Sequence, residues 1–253
     1  MANQHSQKLA VLIDAENAQA KIAGDLLGEI ALYGTASVKR AYGDWTTPNL
    51  GSWREVLHEL AIQPVQQFRF TTGKNATDSA LIIDAMDLLH GGAVDGFCLL
   101  SSDSDFTRLA TRIREAGLSV YGFGERKTPK PFVAACDKFI FTEILHSPLA
   151  GSARLPAGEN LRPILESAVS GAEKDNRWSP LSGVGSLLMK SNPSFDPRNY
   201  GFQKLSELVK AQSFLEVKTV AHNDEPAAVQ LFVRIKKVEP NGSAIEPKQR
   251  RSS

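Results

Sequence analysis

The sequence predicts an α/β protein: a parallel sheet sandwiched by helices, followed by a smaller, winged-helix-like α+β unit. Three observations predict it. Short apolar runs alternate with segments of helical spacing through the first 145 or so residues, the pattern of a parallel sheet covered on both faces. A stretch rich in Pro, Gly, Ser and Ala, SPLAGSARLPAGE, then reads as a linker over 147–159. Beyond it, three helical segments precede two strand-like runs, the order of a winged helix.

Leu9–Ile13 is a continuous apolar run, a buried strand. Ala18–Leu32 has helical spacing at Ile22, Leu26, Leu27 and Ile30 and stops at Gly34. A strand over Ser37–Tyr42, a helix over Ser52–Ala61 and a strand over Pro64–Phe70 follow. The helix at Thr77–His90 ends at Gly91-Gly92. Gly96–Leu100 is the next strand, Asp105–Glu115 the next helix and Leu118–Phe123 the next strand. A short helix at Pro131–Ala135 and a last strand at Phe139–Phe141 complete the first unit. The second unit, 160–237, places helices at Asn160–Ser170, Leu181–Lys190 and Tyr200–Ala211, with strands near Phe214–Val220 and Val229–Lys236. The polar tail, 238–253, has the composition of a disordered segment.

Composition narrows the function classes. Apolar residues make up 42% and charged residues 23% of 253, ordinary for a protein with a real core. Net charge is +1, so no global field marks a nucleic-acid binder. Residues 1–150 carry 14 Lys/Arg against 17 Asp/Glu, and the remainder 15 against 11, so the basic excess lies in the second half. Cys98 and Cys136 sit in apolar runs outside any CxxC pattern, which makes them core thiols and argues against zinc. The N-terminal residues lack the apolar core of a signal peptide, and no apolar run has the length of a membrane span, so a cytoplasmic protein is expected. The glycines of YGFGE do not open a helix, which excludes a dinucleotide fingerprint.

The chemistry is concentrated in acids just after predicted strands, where open parallel sheets bind their ligands. Asp14, Glu16 and Asn17 follow the first strand, Asp44 the second, and Asp103 and Asp105 the strand at 96–100, while Asp78 opens a helix. Two carboxylates about 4 Å apart repel by about 4 kcal/mol at an effective dielectric of about 20. Several together need a cation or must take up protons. An all-oxygen donor set favours Mg²⁺ or Mn²⁺. Such an ion at a strand crevice suits phosphoester hydrolysis, because it binds phosphate, activates water and stabilises the leaving oxygen. Asp84 and Asp87 lie about 240° and 180° around the helix from Asp78 and read as a solvated face.

The stretches VLIDAENA (11–18), AYGDW (41–45), GKNATDSALIIDAMDLL (73–89) and LLSSDSDFTRLATRIREAG (99–117) together resemble the NYN domain of the PIN-like nuclease superfamily, with the LabA-like bacterial branch the nearest in pattern. The resemblance covers about 8–146. It implies a PIN-like fold and a divalent-metal site for RNA cleavage, with Asp14, Asp78, Asp103 and Asp105 as metal ligands and catalytic acids and Asn17 as companion to Asp14. YGFQKLSELVKAQSFLEV (200–217) before a hairpin resembles the OST-HTH, or LOTUS, domain, which implies RNA or protein partners. Lys204, Lys210 and Arg198 are its candidate phosphate contacts. Trp45, Lys74, Asn75 and Lys127 are candidate contacts to single-stranded RNA around the acids. The expected activity is a metal-dependent endoribonuclease. The alternatives are a non-catalytic RNA-binding adaptor and a small-molecule phosphatase, and DAEN lacks the DxDx[TV] nucleophile pattern that would favour the phosphatase.

Overall fold

The structure is a computed structural model that describes residues 6–68, 76–145, 161–173, 177–222 and 225–236, with side chains at 221–222 and 225–229 left undescribed. The chain runs β1 (Lys8–Asp14), α1 (Ala23–Ile30), β2 (Thr35–Gly43), α2 (Trp53–Glu59), β3 (Gln63–Gln66), α3 (Ala76–Gly91), β4 (Gly96–Leu100), α4 (Thr107–Glu115), β5 (Ser119–Gly124), α5 (Lys130–Ala135) and β6 (Lys138–Phe141). The second unit runs α6 (Leu161–Gly171), β7 (Ser179–Pro180), α7 (Leu181–Ser191), α8 (Leu205–Lys210), β8 (Leu215–His222) and β9 (Glu225–Ile235).

The first six strands form one parallel sheet in the order β3-β2-β1-β4-β5-β6. Alternation along β1 explains why both faces are covered. Leu9, Val11 and Ile13 meet Leu26 and Ile30 of α1 and Trp53 and Leu57 of α2. Ala10 and Leu12 join the core built with Leu81, Ala85 and Leu89 of α3 and with Leu109, Ile113 and Phe132 beyond. A strand with neighbours on both sides and helices on both faces must be apolar throughout, as Leu9–Ile13 is. Strand order reverses beside β1: β2 and β3 build outward on one side, and β4 to β6 on the other. The C-terminal ends of β1 and β4 therefore flank a topological switch point.

The helix expected at 18–32 begins later, as a 3-10 turn at Ala20–Ile22 leading into α1. The apolar spacing located its buried face, and the loop after Asp14 occupies the residues before it. Asp84 is not on a solvated face. Its carboxylate accepts from Arg40 Nη1 at 2.8 Å and the Tyr42 hydroxyl at 2.6 Å, since these β2 side chains reach the flank of α3. Both cysteines are buried, as expected.

The second unit has its own core, from Leu165 and Val169 of α6, Val184 and Leu188 of α7, Leu208 of α8 and Val233 of β9. Its sheet is antiparallel in the order β7-β9-β8. The two-residue β7 was not legible in the sequence, since two residues carry no periodicity. The helix expected at 200–211 shortens to Leu205–Lys210. Gly201 takes φ +82°, a left-handed conformation that closes the 3-10 turn Pro197–Tyr200, and Lys204 is extended. The linker expected at 147–159, the tail expected at 238–253, and Lys74 and Asn75 lie outside the described residues.

Candidate active site

Asp14 is the last residue of β1 and is 1% exposed. Because Ile13 pairs with Leu100 across β1 and β4, the next residues on each strand, Asp14 and Ser101, leave the sheet side by side. Ser101 Oγ donates to Asp14 Oδ2 at 2.8 Å and accepts the Asp103 N–H at 3.1 Å. Asn17 Nδ2 donates to the same Asp14 oxygen at 2.7 Å, and the Asn17 N–H reaches Oδ1 at 3.3 Å. Asn17 is thus companion to Asp14 in geometry as well as in pattern. Burial pushes the Asp14 carboxyl upward, and the hydrogen bonds from Asn17 and Ser101 oppose that shift.

Asp103 stands at the N-terminus of the 3-10 turn Ser104–Phe106, where its Oδ1 accepts the Asp105 N–H at 2.9 Å. Short polar side chains cap helical turns in this way, and the cap aims the Asp103-Ser104-Asp105 loop over the sheet end. Asp78 lies in the first turn of α3. Asp78, Asp103 and Asp105 each offer a carboxylate oxygen, all within 4.8 Å of one another. Asp14 is not in that trio. It lies close enough to raise the pKa of Asp78, which rises to about 6 through burial first and then through the charges of Asp14, Asp103, Asp105 and Glu16. All these influences act in one direction.

The donor set fits a hard divalent cation. Three acidic side chains converge, every ligand atom is oxygen, and burial together with the neighbouring carboxylates raises the Asp78 carboxyl. Ser101 was not among the expected site residues, and Glu16 was noted as an acid after the first strand without a role. Both lie within quoted motifs, but only the pairing of β1 with β4 brings Ser101 to Asp14, 87 residues away in sequence.

The remaining expected residues are dispersed. Trp45 is half-buried, packs against the core on the α1–α2 face and donates its indole N–H to the Val65 carbonyl at 3.0 Å. Lys127 is largely exposed and pairs with Glu125 at 2.7 Å. Lys204 and Lys210 are exposed on the second unit. Arg198 does not face solvent for phosphate, because Glu29 and Asp196 occupy its guanidinium. Concave surfaces flank the acids. One, of about 580 Å³, includes Glu16, Lys21 and Asn49, and another, of about 360 Å³, includes Asn17, Ser101 and Glu143. Among the described residues no helix is long and apolar enough to cross a membrane.

The NYN domain model matches residues 8–145, and the OST-HTH/LOTUS domain model matches 158–226. No curated protein matches the chain. Among solved structures, a protein of unknown function from Vibrio parahaemolyticus is 20% identical, with 55% of this chain and 94% of that one covered and a TM-score of 0.47. An uncharacterized protein from Nitrosomonas europaea is 26% identical over 38% of this chain and 90% of that one, with a TM-score of 0.32. A fragment of a Chromobacterium violaceum protein is 32% identical over 37% of this chain and 96% of that one, with a TM-score of 0.26. With its six-stranded parallel sheet, its acids gathered at the β1–β4 crevice and a family match over more than half its length, the chain belongs to the NYN domain family of PIN-like nucleases and carries an OST-HTH/LOTUS domain behind the nuclease fold.

Proposed function

We propose that the protein is a divalent-metal-dependent endoribonuclease acting on single-stranded RNA, with the C-terminal domain holding the RNA or a protein partner. The observation that carries this reading is the convergence of Asp78, Asp103 and Asp105 within 4.8 Å at the crevice end of the sheet. These three acids would hold Mg²⁺ or Mn²⁺, which when bound supplies charge for the phosphate and lowers the pKa of water. Asp14 is assigned to the same catalytic set. Its buried carboxylate anchors Asn17 and, through Ser101, the backbone that presents Asp103. Asn17, Trp45, Lys74, Asn75, Lys127 and Lys204 are assigned as RNA contacts, and the cytoplasm as the place of action.

The test is cleavage of a labelled mixed-sequence single-stranded RNA in Mn²⁺, Mg²⁺ or EDTA, comparing wild type with Asp78→Asn and Asp103→Asn. Cutting that needs metal and disappears in both variants supports the reading. Cutting that persists in either variant assigns it to a contaminant. RNA binding without cutting under any metal would turn the assignment to a non-catalytic RNA-binding adaptor.

A further inference from the structure

A second polar surface lies on the C-terminal domain, on the open face of the β7-β9-β8 sheet. Leu215 and Val233 point into the core, so the alternate residues of their strands face away from it. Those residues pair across the sheet as Glu216 with Arg234 and Lys218 with Phe232. Trp178, immediately before β7, brings its indole to the same face. Lys218 Nζ lies 4.3 Å from the Trp178 ring centroid and Arg234 Cζ lies 4.5 Å from it, and Lys218 Nζ is also 5.5 Å from the centre of Phe232.

Two cations held against one ring repel each other, and one carboxylate answers them. Glu216 takes Arg234, from Nε and Nη2, each at 2.7 Å. Lys218 has no carboxylate within 4.0 Å among the described residues. The ring quadrupole holds both cations in place, which removes much of the rotamer entropy that long basic side chains otherwise lose on binding. A preorganised, under-compensated pair of cations on an open sheet face fits an anion that can bridge them. We propose that Lys218 and Arg234, positioned by Trp178, clamp the phosphate backbone of RNA. This rests on the reading of the protein as an RNA nuclease and adds where the C-terminal domain grips its substrate. Because the cations already lie against the ring, Trp178 acts as their support and not as a stacking platform for a base. Backbone contacts carry no sequence information, so the grip tolerates any sequence.

The experiment is fluorescence anisotropy of a labelled mixed-sequence single-stranded RNA on the full chain in EDTA, across a salt series, with thermal melting of every variant. Lys218→Gln and Arg234→Gln should each weaken binding by about five- to tenfold and reduce the salt slope by about 1. Trp178→Leu should weaken binding although it removes no charge. An oligo-U of equal length should bind like the mixed sequence. Lys204→Gln tests the helical face instead. If it weakens binding while Lys218→Gln and Arg234→Gln do not, the clamp is overturned. Wild type that cuts RNA in Mn²⁺ but binds it independently of Lys218 and Arg234 sinks the clamp alone. Binding through these residues with no cutting under any metal sinks the nuclease reading alone.

Discussion

Arg198 of the C-terminal domain closes on Glu29 of α1 through two hydrogen bonds, Nη1 to Oε2 at 2.8 Å and Nη2 to Oε1 at 2.9 Å. The same guanidinium reaches Asp196 from Nε at 3.0 Å and from Nη2 at 2.8 Å. Tyr33 donates its hydroxyl to Glu29 at 2.9 Å, and Lys138 Nζ lies 5.0 Å over the Tyr33 ring. Beside them the Phe139 N–H donates to the Pro193 carbonyl at 2.9 Å, so β6 hands an edge hydrogen bond to the second domain. Charge and backbone together join the nuclease fold to the domain behind it.

Removing Arg198 leaves Glu29 and Asp196, 7% and 6% exposed, without their main counter-charge. Stranding a buried carboxylate is costly, so Arg198→Ala should destabilise the protein by about 3–5 kcal/mol in urea unfolding. Arg198→Lys should recover little of this, because a single ammonium cannot reproduce two bidentate contacts. A loss under 1 kcal/mol would mean the contact is too wet to matter.

The same cluster sets an acid limit. Hydrogen bonds and charge from Arg198 outweigh burial and hold Glu29 and Asp196 below their ordinary carboxylate values. A depressed pKa contributes stability that is fully present above the unfolded value, about 4, and is lost as pH falls through the folded one. Wild type should therefore lose stability relative to Glu29→Gln as pH drops from 5 toward 3, and the two should run parallel between pH 6 and 8. Melting curves across that range decide it.

Asp78 behaves in the opposite sense. Its pKa near 6 means that ionising it in the metal-free fold is unfavourable, so the apo protein should gain stability as pH falls from about 7 toward 5. Asp78→Asn should stabilise the metal-free protein at pH 7 by about 1 kcal/mol, the partly exposed position screening the penalty. Mn²⁺ at about 100 times its Kd should raise wild-type stability by about 2.7 kcal/mol and leave Asp78→Asn nearly unchanged. Equal stabilisation of both would place the ion elsewhere.

Ser101 gives a test of how the acids are positioned. Ser101→Ala removes a donor to buried Asp14 and an acceptor for the Asp103 N–H, so stability should fall by about 1–3 kcal/mol. If the nuclease reading holds, cleavage should fall further than folding alone explains, with Ser101→Thr restoring part of it.

Burial lifts both thiols, Cys136 to about 12 and Cys98 higher still. Only the thiolate is nucleophilic, so neither should react with an aromatic disulfide reagent at pH 8 until denaturant is added. Prompt labelling of either in the folded state would contradict the core packing.

Much of the fold was legible because it is written in periodicity. The continuous apolar run Leu9–Ile13 reads as a strand buried on both faces, and Leu81, Ala85 and Leu89 at helical spacing read as one buried helix face. Asp14, at the end of a strand, Asp103, capping a turn, and Asp78 and Asp105, in first turns, stood out in the sequence as candidates because parallel sheets present ligands where their strands end. Partners were not legible. The sequence cannot say that Asp84 answers Arg40 and Tyr42, that Lys218 settles on Trp178, or that Ser101 ties Asp14 to the Asp103 loop.

The amino-acid order by itself determined most of the strands and helices, the apolar faces they bury, and which acids follow the strands, because those properties repeat locally along the chain; the two-residue β7 and the surroundings of Asp84 it did not determine. Only the tertiary structure decided that Asp78 joins Asp103 and Asp105 while the buried Asp14 stays outside that trio, and that Arg198, read as a phosphate contact, instead reaches 169 residues back to Glu29. Hydrophobic spacing specifies a direction for each side chain. The charge it meets there depends on which other element the packing brings alongside.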